Sequence, residues 1–118
     1  MYGKGGSDEM SGKASRDWLF GQDGHDRWIS GGGGRDVIYL GNGSDKYVFG
    51  DSGNDTIRGG PGNDDFAGQG GRDKLYGGPG NDVITNSGGP GGVVYGGPGF
   101  DECYVQKGDN VSGCERRY

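Results

Sequence analysis

Large aliphatic side chains are scarce in this chain. Leu, Ile, Val and Phe together number 18 of 118 residues, too few for a conventional globular core. No apolar run approaches the ~18 residues of a membrane-spanning helix. Helices are nearly excluded, because 32 glycines are spread along the sequence and each one inside a helix costs up to ~1 kcal/mol relative to Ala. Histidine occurs once and cysteine twice, which leaves too few ligands for a zinc site. There is no basic patch: 12 Lys and Arg stand against 17 Asp and Glu, a net charge of -5, which argues against nucleic acid as a partner. The length allows one domain at most. Glycine-rich and aliphatic-poor composition reads as disorder unless a period rescues it.

Aspartate is abundant instead, with 14 Asp against 3 Glu. Asp is the short carboxylate favoured in turns and at hard-cation sites. Ten of these residues fall in register: Asp8, Asp17, Asp26, Asp36, Asp45, Asp55, Asp64, Asp73, Asp82 and Asp101. The steps between them are 9, 9, 10, 9, 10, 9, 9, 9 and 19. The last is a double step across a unit that has Gly92 in the Asp position. Clear units read GGGGRDVIY from Gly31, GGPGNDDFA from Gly59, GGPGNDVIT from Gly77 and GGPGFDECY from Gly96. Units before Gly31 are degraded, with Ser15 where a key glycine is expected.

Two residues after each Asp position stands one residue expected to point inward: Met10, Leu19, Trp28, Ile38, Tyr47, Ile57, Phe66, Leu75, Ile84, Val94 and Cys103. A nine-residue unit divides into about six turn residues and three strand residues. Triplets such as Val37-Ile38-Tyr39 and Val83-Ile84-Thr85 are β-favoured. Alternation along a strand then points the middle residue inward and its neighbours outward. The extra residues of the ten-residue steps are expected at strand ends, near Ser30, Phe49 and Asn86.

This pattern, G-G-x-G-x-D-x-U-x, resembles the RTX or haemolysin-type calcium-binding repeat family over residues 3–104. The resemblance implies an all-β parallel β-roll, a right-handed solenoid with two units per turn and two facing sheets. One sheet would stack Met10, Trp28, Tyr47, Phe66, Ile84 and Cys103, the other Leu19, Ile38, Ile57, Leu75 and Val94. Residues 1–104 are expected to form the roll, with 3–30 degraded and 31–104 better formed, and 105–118 to form a C-terminal cap ending inward on Val111. Cys103 and Cys114 lie eleven positions apart. In an oxidising compartment they would close a loop that adds about 3 kcal/mol in the chain-entropy model. One buried and one incidental thiol is the alternative, and the resemblance favours the disulfide.

The resemblance also implies the ligands. Ca²⁺ takes six to eight oxygens from carboxylates and carbonyls. Two stacked turns on one side would sandwich an ion, each giving alternating carbonyls and its Asp. Gly60, Gly62 and Asp64 would act with Gly77, Pro79 and Asp82. Gly78, Gly80 and Asp82 would act with Gly96, Pro98 and Asp101. The same pattern upstream draws on Gly24, Asn42, Gly41, Gly43, Gly59 and Pro61 on this side. On the other it draws on Gly32, Gly34, Gly50, Ser52, Gly53, Gly68 and Gly70. Side one holds Asp8, Asp26, Asp45, Asp64, Asp82 and Asp101, each preceded by a residue that is not a fixed cation. Side two holds Asp17, Asp36, Asp55 and Asp73, three of them preceded by Arg16, Arg35 or Arg72. Guanidinium groups oppose a dication. Up to five ions are therefore expected on side one. Fewer and weaker ones are expected on side two, best between Asp36 and Asp55 and between Asp55 and Asp73.

The expected function is a secreted, extracellular, monomeric module that folds on binding several Ca²⁺ ions. A non-enzyme is expected: His25 reads as a turn residue, and no nucleophile, base and acid assemble. One alternative is an adhesin-like surface for a glycan or protein, carried by the outward aromatics Tyr39, Tyr76, Tyr95, Tyr104 and Trp18. Another is the non-catalytic C-terminal part of a secreted enzyme. Tyr-Gly-Lys-Gly-Gly after Met1 has no apolar signal-peptide core, so a fragment or another kind of export signal is expected.

Overall fold

A computed structural model describes residues 1–118. It contains fourteen strands and no helix, and so no helix long and apolar enough to cross a membrane. The odd strands are β1 (Tyr2–Gly6), β3 (Trp18–Gly24), β5 (Val37–Asn42), β7 (Thr56–Arg58), β9 (Lys74–Tyr76), β11 (Val93–Tyr95) and β13 (Asn110–Ser112). They form one seven-stranded sheet in chain order. The even strands are β2 (Met10–Ser11), β4 (Arg27–Ser30), β6 (Lys46–Phe49), β8 (Asp65–Ala67), β10 (Val83–Thr85), β12 (Glu102–Tyr104) and β14 (Arg116–Arg117). They form the second. Every pairing is parallel, with Ile57 opposite Leu75 and Ile84 opposite Cys103. The chain is therefore a two-sheet β-solenoid. Its extents of 34 × 30 × 14 Å leave room for two sheets packed about 10 Å apart and no third layer.

The core between the sheets is one residue deep. It comprises Met10, Leu19, Ile29, Ile38, Leu40, Val48, Ile57, Phe66, Leu75, Ile84, Val94 and Cys103. Val111 packs against its end as expected. Cys103 and Cys114 are joined by a disulfide with Cα atoms 6.0 Å apart. Residues after 104 continue both sheets, because β13 pairs with β11 and β14 with β12.

Two inward assignments are corrected. Trp28 and Tyr47 are 57% and 58% exposed, and the next residues, Ile29 and Val48, are buried in their place. Trp28 and Tyr47 have φ of 65° and 59°, a left-handed conformation that inserts one residue into the strand as a bulge. The extra residues of these two ten-residue steps are thus taken up inside β4 and β6, two residues before the expected strand ends at Ser30 and Phe49. Burying an Ile or Val needs no polar partner, whereas the Tyr hydroxyl and the Trp N–H would each require one. The stack of Met10, Ile29, Val48, Phe66, Ile84 and Cys103 consequently contains a single aromatic ring. Leu40 also joins the core, from the position that glycine takes at the start of most units.

Candidate metal centre

Turns joining the odd-strand sheet to the even-strand sheet stack in one column, and the return turns stack in another. Column one carries Asp8, Asp26, Asp45, Asp64, Asp82 and Asp101. From Asp26 onward, the carboxylate Oδ1 accepts the backbone N–H of the aspartate one turn back. Asp8 donates to Asp26 at 3.1 Å, Asp26 to Asp45 at 2.7 Å, Asp45 to Asp64 at 2.9 Å, Asp64 to Asp82 at 2.9 Å and Asp82 to Asp101 at 2.8 Å. Column two repeats this with Asp17 to Asp36 at 2.8 Å, Asp36 to Asp55 at 2.8 Å and Asp55 to Asp73 at 2.9 Å.

The second carboxylate oxygen is left over. Oδ2 is buried without a hydrogen-bond partner in Asp8, Asp17, Asp26, Asp36, Asp45, Asp55, Asp64, Asp73, Asp82 and Asp101. An orphaned buried carboxylate oxygen is costly, and ten in register are a feature of the fold rather than an accident. In eight of them burial pushes the carboxyl upward, against the hydrogen bond that it receives. Asp64 is raised to about 8, Asp55 to about 7, and Asp45, Asp73 and Asp82 to about 6. For Asp64 the charges of Asp45 and Asp82 add to the effect of burial. Asp26, Asp36 and Asp101 shift the same way.

The glycines make room for these oxygens. A Cβ on Gly59 would stand 2.6 Å from Asp64 Oδ2 and 2.5 Å from the Gly77 carbonyl oxygen. Glycine therefore leaves a small space into which a carboxylate oxygen and a carbonyl oxygen converge. The same arrangement surrounds Gly3, Gly12, Gly31, Gly50, Gly77 and Gly96. At the turn of Asp45, Leu40 stands in the glycine position, and it is fully buried in the core.

The carbonyls of Gly60 and Gly62 accept no backbone hydrogen bond, while those of Gly77 and Pro79 accept the N–H groups of Gly60 and Gly62 at 3.0 Å each. Likewise Gly96 and Pro98 accept from Gly78 and Gly80, and Gly59 and Pro61 from Gly41 and Gly43. Each of the latter carbonyls retains one lone pair for another partner. No three His, Cys, Asp or Glu side chains gather at one point. What each turn offers is one charged oxygen with several carbonyls. That is a donor set for a hard, oxygen-seeking cation such as Ca²⁺, and not for zinc or copper. The residues present thus fit calcium.

Other sequence features find structural roles. Residues just before the column-one aspartates form an outer ladder of their own. Ser44 donates its N–H to His25 Nδ1 at 2.9 Å, Asn63 to Ser44 Oγ at 3.1 Å, Asn81 to Asn63 Oδ1 at 2.8 Å and Phe100 to Asn81 Oδ1 at 2.9 Å. His25 is a rung of this ladder. No salt bridge links Arg16, Arg35 or Arg72 to the aspartate beside it: the arginines are exposed, while the Oδ2 atoms of Asp17, Asp36 and Asp73 are buried.

Both columns extend into the tail, which inspection of the repeat missed. Glu115 Oε2 accepts the N–H of Asp101 at 2.8 Å, and Asp109 Oδ1 accepts the N–H of Gly92 at 3.0 Å. Asp109 Oδ2 also accepts from Asn86 Nδ2 at 3.0 Å. Asn86 itself is buried and reaches toward the space that Gly92 leaves without a carboxylate. The signal was present: Asp109 and Glu115 stand two residues before Val111 and Arg117, which pair with Val94 and Cys103.

A family model of the RTX calcium-binding nonapeptide repeat matches the chain four times, at residues 2–27, 28–47, 49–84 and 58–93. No curated protein and no solved structure matches it. With the repeat matched over most of its length and the solenoid that the repeat requires, the chain belongs to the RTX calcium-binding nonapeptide repeat family.

Proposed function

We propose that this domain is a calcium-dependent folding module, disordered without Ca²⁺ and a rigid solenoid with it. The observation that carries the reading is the set of ten buried, unpartnered Oδ2 atoms in two columns. Stacked carboxylates repel, and a core one residue deep does not offset chain entropy. A cation that links carboxylate and carbonyls across turns removes the repulsion, so its binding free energy becomes folding free energy. The ions belong between successive turns. Up to five sit in column one and fewer in column two, best beside Asp36, Asp55 and Asp73. The donors are the aspartates with the carbonyls of Gly60, Gly62, Gly77, Pro79 and their equivalents.

Family membership and the disulfide support an extracellular setting, where calcium is plentiful and thiols oxidise. The reading is of a non-catalytic repeat. The outward aromatics of the odd-strand sheet support a packing role more than a glycan-binding one. Tyr2 stacks on Phe20 at 4.9 Å and Phe20 on Tyr39 at 5.3 Å, and Arg58 covers Tyr76 at 4.4 Å. Ring faces engaged with one another are not free to stack on a sugar.

The test is anomalous diffraction from crystals grown at graded calcium concentrations. Peaks should appear between column-one turns first and beside Asp17 last. Equal occupancy of the two columns at every concentration would refute the asymmetry, and no peaks at all would refute the metal assignment.

A further inference from the structure

Column two carries a feature that calcium does not explain. Its outward residues before the aspartate positions are Arg16, Arg35, Asn54, Arg72 and Gly91. Asn54 is short and Gly91 has no side chain, so gaps open between the long arginines. Arg72 lies over Gly91: a Cβ there would stand 3.3 Å from Nε and 3.7 Å from Cζ. Thr56 and Lys74, the first residues of β7 and β9, are paired across the same edge. Together Arg35, Asn54, Thr56, Arg72 and Lys74 line a cleft of about 320 Å³.

Three cations thus share one cleft on a chain of net charge -5. None of them forms a salt bridge. Asn54 Oδ1 is committed to the Arg72 N–H at 2.8 Å, which leaves its Nδ2 free to donate. Thr56 adds a hydroxyl. Apart from Val93 and the buried Asp55 and Asp73, every side chain that lines the cleft is therefore a donor or a positive charge.

We propose that this cleft binds a tetrahedral oxyanion, a sulfate or phosphate monoester. Guanidinium groups present paired donors that match such oxygens, and lysine adds a point charge. Donors arriving from three successive turns surround a group with several equivalent oxygens better than a planar carboxylate. The cleft is also roomier than a bare ion needs, and it accommodates the sugar or alcohol that bears the ester. Asp55 and Asp73 also border the cleft, with their charge directed inward, so a cation held at those turns strengthens the site without being required for it.

The experiment is two-dimensional NMR of the full chain in calcium, first checked as folded by circular dichroism. Sodium sulfate, glucose 6-sulfate and glucose 6-phosphate are titrated separately at constant ionic strength. The amides of Asn54, Thr56 and Lys74 should shift saturably, with the esters binding more tightly than the free ion. Arg35→Gln and Arg72→Gln should each weaken binding about tenfold, while Arg58→Gln on the other edge leaves it unchanged. Saturable binding by sulfate alone, equal affinity in all variants, or no saturable shift would each overturn the proposal. Where the fold persists in chelator, the titration is repeated there, so that failure of the anion site and failure of the calcium reading are told apart.

Discussion

The backbone N–H of Asp45 donates to Oδ1 of Asp64 at 2.9 Å, while Oδ2 of Asp64 is buried beside it without a partner. One carboxylate thus holds two turns together with one oxygen and offers the other to a cation. Asp64→Asn separates the two roles. The amide keeps an acceptor for Asp45 and replaces the orphaned oxygen with a donor facing the Gly77 carbonyl. It should make the calcium-free chain easier to fold and at the same time weaken calcium binding by about tenfold or more. Calorimetric titration and melting in chelator measure the two effects. Parallel losses in both would contradict the division of labour.

Protonation should imitate the metal in part. Asp64 and Asp55 are raised to about 8 and about 7 by burial. A raised folded-state value means that their contribution to stability is complete below the unfolded value near 4, and is lost progressively as pH climbs from there through the folded values of about 7 and about 8. In chelator, β-structure at pH 5 should exceed that at pH 8. In calcium the order should reverse, because protons compete with the metal for the same oxygens. Circular dichroism across this range, with and without chelator, reads both trends.

Gly62 should tolerate no side chain. Its φ is 129°, and a Cβ would run into the Gly43 carbonyl of the turn below. Gly62→Ala should cost about 3 kcal/mol or more. Gly70→Ala, whose Cβ would meet nothing closer than 3.5 Å, should be nearly neutral. Urea denaturation in saturating calcium compares them.

Asp109 should matter more than its place in a tail suggests. It accepts hydrogen bonds from Gly92, Asn86 and Gln106. Asp109→Ala leaves the buried Asn86 amide unsatisfied, at about 1–3 kcal/mol. Hydrogen exchange should localise the loosening to β11 and β13.

Much of the architecture was legible because the repeat is in register with the solenoid. Asp positions fix the columns, and Leu19, Ile38, Ile57, Leu75, Ile84 and Val94 fall inward where alternation puts them. Counting positions failed at Trp28 and Tyr47, because a ten-residue step does not say where its extra residue goes. Polarity could have decided it: the aliphatic neighbours Ile29 and Val48 bury at no hydrogen-bonding cost. Ile29→Ala should therefore cost about 2–5 kcal/mol, and Trp28→Ala far less. Glu115 and Asp109 escaped notice because their turns lack the glycine pattern and keep only the carboxylate, and Leu40 because an apolar residue in a turn slot resembles an ordinary strand end. The orphaned Oδ2 atoms could not be foreseen, since they depend on which oxygen the neighbouring turn occupies.

Far-UV circular dichroism during a calcium titration of the chelated chain is the most direct measurement of calcium-coupled folding. Starting from a largely disordered spectrum, the β signal should rise cooperatively over about 10⁻⁴–10⁻³ M calcium, the range of extracellular modules, and collapse when chelator is restored. A full β spectrum in chelator at neutral pH, unchanged by calcium, would contradict it.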